Sequence, residues 1–264
     1  MTTYKTHHPV RSFARNLRDR MQFNSEDIEA ADYQYVGWLD MMGAGHVMST
    51  SVHKSANFLA RIHMAVDLAR RDTGVDCITV AINDGIFILS PNKSNIMQVM
   101  RQSIINLSLH FIGVPRPYDK FLARGAIAYG PVYSGEHLNQ GISAKRRSRS
   151  PSMFDNVMFG PPVIQAYLSE STSAPFGIAI HESARSFAPV GFSPFRMSHW
   201  IWWQNNNEAP VAPGLPPLSD IRSCLVDDLM NYIDWMDSSL IYHGVAKEKT
   251  ATWRRQIYEY FGQA

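Results

Sequence analysis

DCITVAINDGIFIL, residues 76–89, contains two runs rich in β-branched residues on either side of a short polar segment. That segment, Asn83-Asp84-Gly85, has side chains that tolerate the positive φ values needed in a tight hairpin turn. Runs of this kind are typical of β-strands. The stretch therefore predicts a β-hairpin with Asp84 at its tip.

The segment before the hairpin predicts a strand, a turn and a long helix. An apolar run at residues 35–40 ends in the carboxylate of Asp40, and the small residues MMGAG follow at 41–45. Polar residues 49–51 can cap a helix that continues to about Arg71, because apolar residues recur there at three- and four-residue steps.

Helices and strands continue to alternate after the hairpin. Ser94 can cap a helix over about 95–111, and a further helix starts after Gly160 and ends near Ser171. The remaining predicted elements are a strand at 121–129 that breaks and continues at 131–135, strands at 176–180 and 199–203, and helices from 219 and at 252–261. This order predicts an α/β sandwich with a mostly antiparallel sheet flanked by helices.

Prolines at residues 210–217 indicate a linker between the sheet-forming region and a helical tail. The sequence therefore predicts four segments. They are an N-terminal helical segment at 1–30, the main domain at 31–205, the Pro-rich linker at 206–218 and a C-terminal helical extension at 219–264.

The composition is that of an ordinary globular protein. The 264 residues are 45% hydrophobic and 18% charged, with a formal net charge of +2, which gives no electrostatic footprint for nucleic-acid or membrane-surface binding. Cys77 and Cys224 lack metal-site spacing, and no apolar run reaches the roughly 20 residues that span a bilayer. These features predict a cytoplasmic protein with free thiols.

Two carboxylates lie where predicted strands end. Asp40 closes the first strand and Asp84 stands at the hairpin tip, so both meet at one sheet edge if these strands are neighbours. Carboxylate oxygens suit Mg²⁺ or Mn²⁺, which keep water positions open for substrate phosphates. The N–H groups of residues 41–46 can approach phosphate oxygens. Each feature also has a simpler explanation, since Asp84 can be only a turn residue and Asp40 only a helix cap.

The segments at residues 33–185 resemble, in order and spacing, the class III nucleotide cyclases, the superfamily of adenylyl and guanylyl cyclases. The first strand has the family's apolar run followed by Asp40, two apolar residues and Gly43. The hairpin resembles the one that carries the family's second metal aspartate. The other matching segments are LARGAIAYGPV at 122–132, MFGPPVIQA at 158–166 and FGIAIHESA at 176–184.

This resemblance implies a metal-dependent site shared between two protomers of a homodimer. It implies that Asp40 and Asp84 hold two Mn²⁺ or Mg²⁺ ions, with the Met41 carbonyl as a further ligand. Arg124 would approach the triphosphate. The predicted substrate-binding residues are Met42, Gly43, Ala44, Gly45, His46, Asn156 and Tyr167.

Three positions depart from the family pattern. Ile164 stands where many members have the transition-state Asn, and Leu168 where they have Arg. Val80 aligns with the adenine-reading Lys, and valine has no hydrogen-bonding group for a purine. Gln165, Tyr167 or an arginine from another segment can supply the missing roles.

A chain that keeps the metal aspartates but lacks the purine-reading residues resembles the bacterial pyrimidine cyclases of the Pycsar anti-phage defence system. This resemblance implies conversion of UTP to cyclic UMP and pyrophosphate, with the product read by a separate cyclic-nucleotide-binding effector. Cyclic CMP production from CTP is the first alternative. A catalytically inactive cyclase-like module that binds nucleotide or a partner is the second, because the Asn and Arg are missing. A diguanylate cyclase is disfavoured, because the hairpin lacks the Gly-Gly-acidic-acidic-Phe motif.

Overall fold

The computed structural model describes residues 9–21, 23–141, 154, 157–239 and 247–262. These fall into two compact units. The larger unit comprises described residues within 32–132 and 160–264, and the smaller unit those within 1–31 and 133–159. The predicted substrate-binding residue Asn156 lies outside the described residues.

A mostly antiparallel sheet forms the centre of the larger unit. The strands are β1 Asp32–Met42, β2 Ile78–Ile82, β3 Gly85–Ser90, β4 Leu122–Ser134, β6 Ile178–Ile180 and β7 His199–Trp200. They are arranged in the order β2-β3-β1-β4-β6-β7, and β4–β6 is the one parallel pair in the described sheet. This arrangement confirms the predicted α/β fold.

Helices flank this sheet. The two long helices before β4 carry N-caps from Ser51 and Asn92, whose side chains accept hydrogen bonds from backbone N–H groups in the first turn. The helices of the larger unit are α2 Ala44–Thr50, α3 Val52–Thr73, α4 Lys93–Gly113, α6 Pro161–Ser169, α7 Glu182–Ser186, α8 Leu218–Ser238 and α9 Lys247–Phe261.

The smaller unit contains the helices α1 Pro9–Arg20 and α5 Gly135–Gln140 and the short strand β5 Met158–Phe159. Strand β5 pairs with Tyr133 and Ser134 at the end of β4, and the rings of Tyr133 and Phe159 stack with centroids 5.2 Å apart. Helix α1 lies within the N-terminal segment 1–30 of the sequence analysis.

The predicted hairpin is confirmed as two strands joined by Asn83 and Asp84, with Asn83 at a φ of 49°. Three local predictions were wrong. The α4 cap is Asn92 rather than Ser94. Strand β4 runs without a break through Pro131, which pairs with Tyr33. Strand β7 has only two residues because a turn follows Trp200.

The two faces of the sheet contact different helices. Gly37 of β1 faces α4, since a Cβ there would lie 2.8 Å from Met100 Sδ. Its neighbour Trp38 points to the opposite face, where its ring centroid lies 5.7 Å from that of Tyr167 on α6. The face toward α3 and α4 therefore contains the main hydrophobic core, whereas the Trp38 face is the one beneath α6.

The C-terminal helices belong to the same compact unit as the sheet. Tyr232 of α8 packs edge-on against Phe111 of α4 at 5.4 Å, and Asp228 forms an ion pair with Lys120 at 2.6 Å. Buried Arg101 of α4 donates to the carbonyls of Trp202, Gln204 and Ala209, which fixes the segment before α8. Among the described helices, none has the length and apolar character that a membrane crossing requires.

Candidate active site

The sheet brings three predicted site residues together at one edge, where the neighbouring strands β3, β1 and β4 begin or end. Asp40 near the end of β1 pairs with Gly85 of β3 on one side and with Arg124 of β4 on the other. Paired residues of neighbouring antiparallel strands project to the same face, so the Asp40 and Arg124 side chains lie side by side. Asp84 is adjacent, because its carbonyl accepts a hydrogen bond from the Met41 N–H at 3.3 Å.

The electrostatic environment of Asp40 favours a bound cation. Burial raises the pKa of Asp40 to about 7, with further increases from the charges of Glu170 and Asp84 and an opposing effect of Arg124. The ionised carboxylate is therefore held at a free-energy cost. A positive ion beside Asp40 would reduce that cost.

Glu170 is a site residue that the sequence analysis missed. It follows α6 in the 3₁₀ turn Glu170–Thr172, and its Oε1 accepts a hydrogen bond from Arg124 Nη2 at 3.0 Å while its Oε2 contacts Arg124 Nε. Burial raises the pKa of Glu170, and the Arg124 charge opposes that rise. An acidic residue directly after a helix is common, so the position of Glu170 in the chain does not by itself indicate this pairing.

The residues at this edge fit a hard divalent cation. Asp40 and Asp84 supply carboxylates, and the Met41 carbonyl points toward the hairpin, because the N–H and C=O of one strand residue face the same neighbour. The described residues contain no group of three or more His, Cys, Asp or Glu side chains that could hold a metal ion. Mg²⁺ or Mn²⁺ at this edge would therefore depend on two carboxylates, a carbonyl, water and substrate oxygens.

The predicted phosphate segment is built differently from the expected loop. Met41 and Met42 finish β1, Gly43 makes the turn at a φ of 78°, and Ala44 already begins α2. Hence the turn predicted at residues 41–45 is confined to Gly43, because β1 and α2 extend into the segment from both sides. Ala44 is buried, Gly45 is exposed, and Met42 and His46 are half-buried. A groove beside this segment is lined by Met42, Gly43, His46, Lys120, Tyr232 and Trp253.

An aromatic patch lies next to the carboxylates on the same sheet face. Trp38 and Phe87 are cross-strand partners with ring centroids 4.2 Å apart, and Tyr167 approaches Trp38 from α6. Val80 pairs with Phe87 in the next strand, which extends the apolar row. Buried Trp38 has an indole Nε1 without a hydrogen-bond partner in the described part of the chain. Because Trp38 and Phe87 are both buried, the exposed ring of Tyr167 is the part of this patch that can stack against a planar ligand.

The outer face of α6 is apolar. Ile164 and Leu168 are 59% and 63% exposed, and Tyr167 is 53% exposed. Both substituted positions are therefore apolar and exposed. Gln165 is half-buried, and its Oε1 has no hydrogen-bond partner among the residues described.

Comparison with known proteins gave similarities only among solved structures. No protein-family model matches the sequence, and no curated protein matches it. The chain is similar to the guanylyl cyclase domain of the RhoGC fusion protein from the fungus Blastocladiella emersonii (17% identity, TM-score 0.43, covering 59% of this chain and 84% of that one).

Two further structures are similar at comparable levels. One is the guanylate cyclase domain of RhGC from Catenaria anguillulae in complex with GTP (16% identity, TM-score 0.43, covering 59% of this chain and 81% of that one). The other is a bacterial light-regulated adenylyl cyclase (12% identity, TM-score 0.47, covering 82% and 68%). At these identities the similarity concerns the fold.

Proposed function

We propose that this chain is a pyrimidine nucleotide cyclase that converts UTP to cyclic UMP and pyrophosphate. The observation that carries the proposal is the convergence of Asp40, Asp84 and Arg124 at one edge of the sheet, beside the aromatic patch. These are the residue types that a triphosphate substrate with divalent cations requires. The segment order described from the sequence supports the same reaction.

In the proposed mechanism the ribose 3′-hydroxyl loses its proton to water and its oxygen attacks the α-phosphorus in line. The bond between the α-phosphorus and the bridging oxygen breaks, and pyrophosphate leaves with that electron pair. Asp40, Asp84 and the Met41 carbonyl would hold Mn²⁺ or Mg²⁺, which when bound supplies activation of the 3′-hydroxyl and neutralisation of phosphate charge. Arg124 binds the triphosphate through charge-assisted hydrogen bonds. No protein nucleophile is required, because the attack is intramolecular and the site acts mainly by positioning the ribose and α-phosphate.

The apolar row beside the carboxylates supports a pyrimidine over a purine. Val80 offers no hydrogen bond to a purine edge, and the exposed ring of Tyr167, which packs on Trp38, provides stacking area. A base whose polar groups stay unpaired in the site can be rejected by more than a hundredfold. UTP is favoured over CTP on family resemblance alone, and residue 156 could serve either base because asparagine both donates and accepts.

A second copy of the chain completes the proposed site. The α6 positions that carry Asn and Arg in many class III cyclases are occupied by exposed Ile164 and Leu168, which together with Tyr167 form an apolar surface. We propose that this surface packs against another protomer in a homodimer. The proposed role in the cytoplasm is anti-phage signalling through a separate effector that binds the cyclic nucleotide.

The deciding experiment supplies the purified protein with ATP, GTP, CTP and UTP at equal concentration together with Mn²⁺. Chromatography of the products should show cyclic UMP as the main peak, and Asp40→Ala protein should give none. A main peak of cyclic AMP or cyclic GMP would overturn the pyrimidine assignment. A main peak of cyclic CMP would overturn only the choice of uridine.

A nucleotide-binding module without catalysis is the second candidate. It is favoured by one observation, the apolar Ile164 and Leu168 at the positions of the transition-state residues. Titration of the protein with each nucleoside triphosphate separates the two candidates. Saturable binding without any cyclic product over a range of Mn²⁺ and Mg²⁺ concentrations would support the module.

A further inference from the structure

Glu170 and Arg124 form a two-point ion pair in the wall of the proposed site. Arg124 Nη2 donates to Glu170 Oε1 at 3.0 Å and Arg124 Nε contacts Glu170 Oε2. The side chain of Arg124 is only 16% exposed and that of Glu170 only 12%. The pair therefore fixes the guanidinium plane at two points in a poorly solvated place.

This pair is too costly to break during substrate binding. Removing one partner of a buried ion pair leaves an uncompensated charge, which is strongly destabilising. A triphosphate that displaced Glu170 from Arg124 would leave the Glu170 carboxylate buried and beside further negative charge. The physical expectation is that the pair stays formed while an anion binds.

The geometry leaves donors of Arg124 available. A guanidinium has five N–H donors, and Glu170 engages only the Nε and Nη2 positions. Nη1 makes a long hydrogen bond of 3.4 Å to the Ser171 carbonyl. Arg124 also stands next to Asp40 in the strand register. Its remaining donors can therefore reach a phosphate without loss of the ion pair.

We propose that Glu170 is a positioning residue that holds the Arg124 guanidinium in the orientation in which it binds the polyphosphate of the substrate. This inference rests on the proposed function for the identity of the substrate. It adds Glu170, which lies outside the segments matched in the sequence analysis, to the machinery of the site. The alternative is that Glu170 competes with the phosphate for Arg124 and blocks the site.

A purely electrostatic effect of Glu170 and a positioning role predict opposite effects of Glu170→Gln on anion binding. Removing a negative charge beside an anion site should tighten anion binding by simple Coulomb attraction. Loss of positioning should weaken it. The probe is inorganic tripolyphosphate with Mn²⁺, measured by calorimetry, so that the result does not depend on the base or on turnover.

We expect Glu170→Gln to weaken tripolyphosphate binding by about tenfold or more, the range of a charge-assisted contact. Glu170→Asp keeps the charge but shortens the side chain, and we expect it to weaken binding as well. Glu182→Gln removes an exposed glutamate that pairs with Arg185 outside the site, and should leave binding unchanged. Melting temperatures of all variants verify that they fold.

Unchanged or tighter tripolyphosphate binding by Glu170→Gln would overturn the positioning role, as would the absence of binding by the unmodified protein. If Glu170→Gln does not fold, the same outcomes are read from Glu170→Asp. Weaker binding by the Glu170 variants, combined with no cyclic product from the unmodified protein, would support the positioning role and refute the cyclase function. The two proposals therefore fail separately.

Discussion

The six-membered ring of Trp38 lies directly over Gly85. A Cβ at residue 85 would be 2.2 Å from both Cη2 and Cζ2 of Trp38, and 2.7 Å from the Leu39 carbonyl oxygen. Gly85 also ends the hairpin turn and pairs with Asp40. Because Gly85 has no side chain, the ring of Trp38 can occupy the space beside Asp40.

Gly85→Ala is expected to destabilise the protein, because the buried indole ring of Trp38 must move and the Leu39 backbone cannot. Overpacking of this kind costs about 1–3 kcal/mol, which should lower the melting temperature by about 2–4 °C per kcal/mol. Thermal denaturation measures the effect. Gly113→Ala, where nothing lies within 4 Å of the new Cβ, is the matched control. Equal melting temperatures for the two variants would contradict the close contact.

The fold was largely predictable because its signals are local. The Asn83-Asp84 turn and the alternating strand and helix patterns are encoded within a few neighbouring residues. Predictions failed where tertiary contacts outweigh local preference. Proline alone suggests a break in the strand, but Pro131 remains inside β4 because it lies opposite Tyr33 in the pairing with β1.

The site was predictable only in part, for the same physical reason. Asp40 and Asp84 stand at strand ends, so their meeting follows from strand order. The partner of Arg124 is Glu170, 46 residues away in the chain. Such a contact depends on how α6 and its following turn pack across the sheet. No spacing rule within the sequence encodes that packing.

Asp40→Ala and Asp84→Ala are each expected to abolish cyclic nucleotide formation while the protein stays folded. Each change removes one of the two carboxylates proposed to hold the metal ions, and neither side chain belongs to the hydrophobic core. Product formation with Mn²⁺ is the measurement. The control Asp72→Ala changes an exposed aspartate in the last turns of α3 and should retain full activity. Near-normal turnover by either site variant would refute the metal assignment.

Leu168→Asp is expected to weaken the proposed homodimer by about tenfold or more, because a charge placed in an apolar interface must be desolvated. Sedimentation velocity at several protein concentrations measures the dissociation. Cyclic nucleotide formation should fall in parallel and recover at high protein concentration. Met64→Asp places the same charge at a residue of α3 that is 68% exposed, and should leave both properties unchanged. A dimer unaffected by Leu168→Asp would exclude the α6 surface as its interface.

Asp40→Asn is expected to stabilise the metal-free protein at pH 8, although the same change should destroy activity. The pKa of Asp40 is raised from an ordinary 3.8 to about 7 in the folded state, so the folded protein holds a proton that the unfolded chain releases. The stability that this proton contributes is complete below the unfolded pKa and is lost as the pH rises through about 7. Asparagine cannot ionise and escapes this loss.

Melting temperatures of Asp40→Asn and unmodified protein, recorded with a chelator from pH 4 to pH 8, test this directly. The variant should melt higher at pH 8 by several degrees, since each kcal/mol corresponds to about 2–4 °C in a chain of this size, and the difference should shrink toward pH 4. The comparison at each pH cancels the titration of all other groups, because the two proteins share them. Added Mn²⁺ should reverse the order at pH 8, since only the carboxylate offers the ion a charged ligand. A difference that stays constant over the whole pH range would mean that Asp40 ionises with its ordinary pKa and that the buried acidic environment described for it is incorrect.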